Sequence, residues 1–224
     1  MKEENEMKNK LSPRFIAVIG MFTALAVVSV LATEWIPKVQ GFLSYEPKDA
    51  LIVMAGFIYG PVACVLISLL ASLIEMLTFS TTGIYGFIMN VVATMAFTMP
   101  AAFIYYKNRT KKNAMIGLGV GVVSMAAVMV LWNYVITPFY MGVSRNVVAG
   151  MLASVFLPFN LVKGGINAGL ALILYKPLVT ALRRTGFAEK TGAEKGKFQF
   201  GFLMLSIAIL SSFVLWFLVM IKVL

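Results

Sequence analysis

The stretch ALIVMAGFIYGPVACVLISLLASLIEMLT, residues 50–78, decides the fold. It is apolar enough to lie in lipid, yet Gly60-Pro61 interrupts it near the middle. Proline suits the first turn of a new helix and resists the interior of an old one. Either one tilted helix or two short ones would satisfy the hydropathy. Basic residues elsewhere choose between them, because Lys and Arg gather on the cytoplasmic side of membrane spans. One cluster is Lys2, Lys8, Lys10 and Arg14; a second is Lys107, Arg109, Lys111 and Lys112; a third is Arg183, Arg184, Lys190, Lys195 and Lys197. A single crossing over 50–78 would leave the second cluster outside. Two helices, 49–60 and 61–78, return all three to the cytoplasm, so the split reading is adopted.

The other apolar stretches lie at 15–33, 84–106, 114–141, 147–182 and 198–221. A crossing takes about 20 such residues. The first stretch supplies one and lacks a small-x-small cleavage site, so it reads as a span rather than a leader. The stretch 147–182 is too long for one crossing, since a helix of that length would run about 54 Å. Pro158 offers the break, with an outer loop or surface-lying segment at 146–157 and a helix at 159–182. The expected fold is therefore all-α and polytopic. A tail at 1–13 leads into a six-helix membrane domain at 14–184, a charged linker at 185–197 and an additional hydrophobic helix at 198–224.

Composition agrees and narrows the chemistry. Of 224 residues, 60% are hydrophobic and 12% charged, against about 45–50% and 25% in soluble domains. Mean hydropathy is +0.90. The net charge of +10 reads as a topology signal with some attraction to anionic lipid, not as nucleic-acid binding. The sequence has no histidine, which excludes histidine-ligated metal sites and Ser-His or Cys-His catalytic pairs. Cys64 is alone and cannot form an internal disulfide. Without a GxxxxGK[ST] motif the chain is not itself a P-loop ATPase. The glycines of GLGVGVV, 117–123, mimic part of a dinucleotide fingerprint but have no preceding strand, so they read as helix-packing glycines. The break at Pro61 has no counterpart in a second half, which argues against a self-contained secondary transporter.

Polar groups at membrane depth need a partner or a purpose. They are densest in LPFNLVKGGINAGL, 157–170, where Asn160, Lys163, Gly164 and Asn167 share one helix face. A lysine at a helix centre costs about 2.5–3.5 kcal/mol to insert. Lys163 either faces a ligand or buried partner, or it snorkels to the outer interface; the two asparagines on its stripe favour the former. Gly164, Gly165 and Gly169 leave room for a flat ligand or, more simply, a neighbouring helix. Asn133, in LWNYVITPFYM, 131–141, sits near the outer end of the fifth helix. Its neighbours Trp132, Tyr134 and Tyr140 form either an interfacial belt or a stacking surface. Asn90 lies about a turn inside the fourth helix, in reach of an adjacent helix. Glu75, at the end of the third helix, either neutralises Lys163 or is solvated. Glu46 and Asp49 precede the second helix, which Asp49 is placed to cap. Amides both donate and accept, so this set suits a neutral heteroaromatic molecule in an outward-facing pocket walled by Phe, Tyr, Trp and Met. Ala17, Gly20 and Ala24 give the first helix a small-residue face for another helix of this chain or of another subunit.

The ordered segments GFIYGPVACV (56–65), LWNYVITPFYM and LPFNLVKGG resemble the riboflavin-specific substrate-binding subunits, or S components, of energy-coupling-factor vitamin transporters. The similarity spans roughly residues 14–184. It implies a multi-pass plasma-membrane protein with a six-helix core, a cytoplasmic N-terminus and no catalysis. No cofactor is implied; riboflavin is the transported ligand, captured at the outer face. The implied partners are a transmembrane scaffold subunit and two ATPase subunits, with the S component toppling in the membrane to release its cargo. Asn133, Asn160 and Lys163 match family positions that contact flavin, and Asn90, Asn167 and Asp49 join them as candidates by placement. The resemblance also implies a lid near 38–48 and a scaffold-docking face at Ala17, Gly20 and Ala24. This chain departs from the family in three places: YEPKDA stands where FSDVP is common, Ala71 and Ser72 replace a Lys-Asn pair, and the hydrophobic segment at 198–221 is additional. FMN or another vitamin as ligand, and a self-contained secondary transporter, are the alternatives.

Overall fold

The computed structural model describes residues 12–184, 186 and 200–222. The expected tail at 1–13 and linker at 185–197 lie almost wholly outside the described residues. Helix α1 (Pro13–Leu31) starts at Ser12, whose hydroxyl accepts from the Phe15 N–H at 3.2 Å, with Pro13 in the first turn. It is followed by α2 (Lys48–Tyr59), α3 (Pro61–Thr78), α4 (Gly83–Lys107), α5 (Lys111–Met141), α6 (Arg145–Met151), α7 (Leu157–Arg184) and α8 (Phe200–Met220). Among the described residues, six helical stretches are long and apolar enough to cross a membrane: α1, α3, α4, α5, the continuous run Arg145–Leu182, and Leu203–Met220 of α8.

The split of residues 50–78 is present as expected. Gly60 separates α2 from α3 with φ 91° and ψ 172°, a conformation essentially confined to glycine. A Cβ there would also meet the Tyr106 ring at 3.3 Å. Helix α2, at 12 residues, is about 18 Å long and too short to cross alone. It runs from the interior of the bundle to the end where α4 finishes.

The expected break at Pro158, with an outer loop or surface-lying segment at 146–157 before it, is corrected. Helix α6 runs into a π-helical turn, Leu152–Phe156, and then directly into α7. Proline within a helix displaces the carbonyl four residues back, here that of Ser154, and a widened turn just before Pro158 accommodates it without ending the helix.

Small residues set the packing. Gly117 and Gly121 of α5 lie against the backbone of Ala101 and Phe97 in α4, whereas Gly119 faces open space; the motif packs helices. On α7, Gly164 meets Val122 and Met125 of α5, with Met125 Cε 3.0 Å from the Cβ a larger residue would carry. Gly165 and Gly169 lie beneath Phe213 and Leu210 of α8. The glycines of α7 thus seat two helices, and its Lys163 and Asn167 turn toward α2 and the 32–47 loop. Replacing Gly121 with leucine should lower stability by about 1–3 kcal/mol through overpacking, while Gly119→Leu should be tolerated. Thermal unfolding of the two variants in detergent distinguishes the faces.

Candidate functional site

The segment joining α1 to α2 folds back over the bundle. Its centre is a tight reversal in which Val39 and Leu43 exchange backbone hydrogen bonds of 3.0 Å, with Gln40 and Gly41 at positive φ. Thr33 bonds the Tyr45 carbonyl at 3.4 Å. The cleft left between this loop and α1 is a cavity of only about 10 Å³, lined by Val30, Thr33, Glu34, Ile36, Lys38, Ser44 and Tyr45. That is less than the roughly 300–1,000 Å³ of small-molecule pockets, so the loop is seated closed.

Beneath it lies a buried ionic network. Glu46 descends from the loop and accepts from Lys163 Nζ of α7 at 2.7 Å. Lys48, fully buried at the start of α2, donates to both oxygens of Glu75 on α3 at 2.8 and 2.6 Å and stands 3.4 Å from Glu46. Asn90 of α4 donates to Glu46 Oε1 at 3.3 Å and to Glu75 Oε2 at 3.1 Å. Asn167 ties the loop to the helices: its Nδ2 donates to the Glu46 carbonyl at 3.1 Å and its Oδ1 accepts from Ala50 N–H at 3.2 Å. Asp49 accepts from the Thr94 hydroxyl at 2.6 Å.

Lys163, Asn167, Asn90 and Asp49 are therefore brought together, and Lys163 is paired inside the bundle rather than snorkelling. Its partner is Glu46, not Glu75, which is neither solvated nor bonded to Lys163. Asp49 does not cap α2; it packs inward against α4. Asn133 and Asn160 are buried but bond within their own helices, Asn133 Nδ2 to the Met129 carbonyl at 2.6 Å and Asn160 Nδ2 to the Phe156 carbonyl at 2.8 Å. The aromatic group divides. Tyr134 and Tyr140 are exposed, whereas Trp132 packs on the core shared by α2, α4, α5 and α7. Ala17, Gly20 and Ala24 all lie on the exposed face of α1, and a methyl added at Gly20 would touch nothing within 4 Å.

Sequence reasoning missed Lys48 and Thr94 and gave Glu46 no partner. The signal was present in EPKD, 46–49, three charges together in a chain with few. Three polar atoms near these elements are left over: among the described residues, Asp49 Oδ2, the Tyr45 hydroxyl and Trp132 Nε1 are buried without a hydrogen-bond partner. Each such orphan costs about 1–3 kcal/mol, which a polar guest would recover.

Burial pushes the Glu46 carboxyl up, but Lys163 and Lys48 outweigh it and hold it down at about 2. A depressed carboxyl contributes stability at neutral pH that disappears as pH falls from the ordinary value of 4.5 toward 2. Glu46→Gln should cost roughly 3–5 kcal/mol at pH 7 by stranding Lys163. The gap to the unsubstituted protein should narrow steadily in unfolding measurements taken from pH 5 downward, and a pH-independent gap would exclude the ion pair as its cause.

Comparison with known proteins gives a consistent result. The family model for the ECF transporter, substrate-specific component, matches residues 14–175. The riboflavin transporter RibU of Staphylococcus aureus (strain TCH60) is 29% identical over 175 residues, covering 75% of this chain and 92% of that protein. The riboflavin transporter FmnP of Bacillus subtilis (strain 168) is 27% identical over 158 residues, covering 66% and 83%. A solved structure of the S component of a bacterial ECF transporter superposes with a TM-score of 0.65 at 29% identity, covering 79% of this chain and 99% of its own. With its helical bundle, broken second apolar stretch and matched motifs, the chain belongs to the substrate-specific components of ECF transporters, a family of multi-pass membrane transport subunits rather than enzymes.

Proposed function

We propose that this chain captures riboflavin at the outer face of the plasma membrane and hands it inward as the binding subunit of an ATP-driven importer. The single observation that carries this reading is the closed polar cluster beneath the 32–47 loop, in which Lys163 and Asn167 hold Glu46, in a chain similar to two riboflavin transporters. The N-terminus is cytoplasmic in this reading, since the basic clusters then all face inward, and the loop faces out.

The chemistry of the cluster suits an uncharged, flat ligand with donors and acceptors on its edge. Lys163 and Glu46 bond each other with the loop closed, and a ligand carbonyl or ribityl oxygen takes the lysine when the loop lifts. Asn133 and Asn160 have their rotamers fixed by the carbonyl one turn back and read the ring edge with the second N–H of each amide and with Asn160 Oδ1, since Asn133 Oδ1 already accepts from Thr137. Asp49 Oδ2, Trp132 Nε1 and the Tyr45 hydroxyl offer one acceptor and two further polar partners. Asn90 and Asn167 hold the carboxylates and the loop backbone in register. With Glu46, Asp49 and Glu75 against Lys48 and Lys163, the cluster is one negative charge in excess, which disfavours the phosphate of FMN.

The exposed stripe of Ala17, Gly20 and Ala24 is the proposed docking face for the transmembrane scaffold subunit, because small residues let helices approach closely in lipid. Two ATPase subunits supply the energy that this chain has no motif to harvest.

Purified protein should quench riboflavin fluorescence at one-to-one stoichiometry and bind FMN more weakly. Asn160→Leu should weaken riboflavin by about 1–3 kcal/mol, the cost of an unpaired ligand group; an unchanged affinity removes Asn160 from the site. Vesicles holding only this chain should bind riboflavin without accumulating it. Accumulation driven by an ion gradient would establish a secondary transporter instead.

A further inference from the structure

Helix α8 lies beyond the residues that the family model matches, 14–175, and 79% of this chain suffices to cover 99% of the solved relative. It is nonetheless built into the fold. Phe213 and Leu210 lie over Gly165 and Gly169 of α7, so α7 carries glycine where α8 needs the space. Most of α8 otherwise faces outward, with Leu215, Trp216 and Val219 exposed. Among its apolar residues Phe217 stands apart: it is only 6% exposed and belongs to one apolar cluster with Val39 and Leu43 of the loop and Phe156, Phe159, Val162 and Ile166 of the α7 region. Its ring stands 5.7 Å from that of Tyr45. Tyr45 is the residue before Glu46, whose carboxylate meets Lys163 at 2.7 Å.

We propose that α8 is a brace for the lid, with Phe217 as the positioning residue that seats the 39–46 loop on the binding cluster. The contact is made from α8, outside the six-helix core, to the loop through Tyr45, the residue next to Glu46. The brace stabilises the closed loop whether the network is completed by Glu46 and Lys163 or by a ligand. Its effect on capture rests on the riboflavin reading; its effect on the loop does not. A closed lid that is harder to lift slows escape, and changes at an interface of this kind act mainly through the dissociation rate.

The test uses the full chain in nanodiscs, as the unsubstituted protein and as Phe217→Ala, Phe217→Leu and Trp216→Ala. Amide hydrogen exchange is measured first, without flavin. Phe217→Ala should speed exchange at Val39 and Leu43, whose N–H groups bond each other's carbonyls, while α7 amides keep their protection. Phe217→Leu should restore most of it, and Trp216→Ala, altered on the lipid face, should match the parent. Riboflavin dissociation, followed by recovery of fluorescence, should then be about 10-fold faster in Phe217→Ala with a similar association rate. Unaltered loop exchange in Phe217→Ala overturns the proposal. So does equal loss of protection along α7, which would make Phe217 a support of the helix and not of the lid. If no variant binds riboflavin, the functional reading fails while the exchange data still decide the brace.

Discussion

A charge held away from water must have a partner, and this bundle pairs four: Glu46, Lys48, Glu75 and Lys163 are buried and paired with one another, with Asp49 beside them bonded to Thr94. The desolvation of each costs several kcal/mol unless opposing charges and hydrogen bonds compensate. The partners come from different elements, Glu46 from the loop, Lys48 and Asp49 from α2, Glu75 from α3 and Lys163 from α7. Satisfying the ions therefore requires those elements to meet at one point. The short α2 follows from the same constraint: Lys48 begins it at the depth of Glu75, and Gly60 and Pro61 end it at the far side, so that α3 can return to present Glu75.

Much of this architecture was legible in the sequence, because hydropathy and chain length fix where helices cross and Gly60-Pro61 marks the one short pair. The face shared by Lys163 and Asn167 was also legible, since spacing alone puts both on one side of a helix. Two features were not. Residues 145–156 are helical because a π turn absorbs the strain of Pro158, and a local rule that treats proline as a stop has no access to that relief. Glu46 and Lys48 sit in what reads as a solvated loop, and charges in loops ordinarily need no partner. Only the return of the loop over α7, fixed by Asn167 gripping the Glu46 carbonyl and the Ala50 amide, places them in the interior.

Lys48 and Glu75 form a physical unit. Glu75 on α3 would be a buried carboxylate without a close cation but for Lys48 of YEPKDA at the start of α2, whose ammonium donates to both of its oxygens. A cation on one helix and a carboxylate on the next are therefore intelligible only as a pair, because removing either strands the other's charge in the interior.

The same bookkeeping of partners bears on how a closed site can open. A ligand shifts an equilibrium only by the difference in its interaction with the two states. If closure left Lys163 bare, the empty lid would be held open by the need to hydrate an ammonium, and capture would have to overcome that. Because Glu46 on the loop itself supplies the counter-charge, the closed loop brings Lys163 its partner, and a ligand has to replace an ion pair rather than fill a void. Replacement by an uncharged molecule is feasible only if Glu46 keeps another cation when it leaves Lys163, and Lys48 stands 3.4 Å away to serve. The second lysine therefore lets the first exchange its partner, and in the proposed reading that exchange is what allows one cluster to be both a latch for the lid and a receptor for the vitamin.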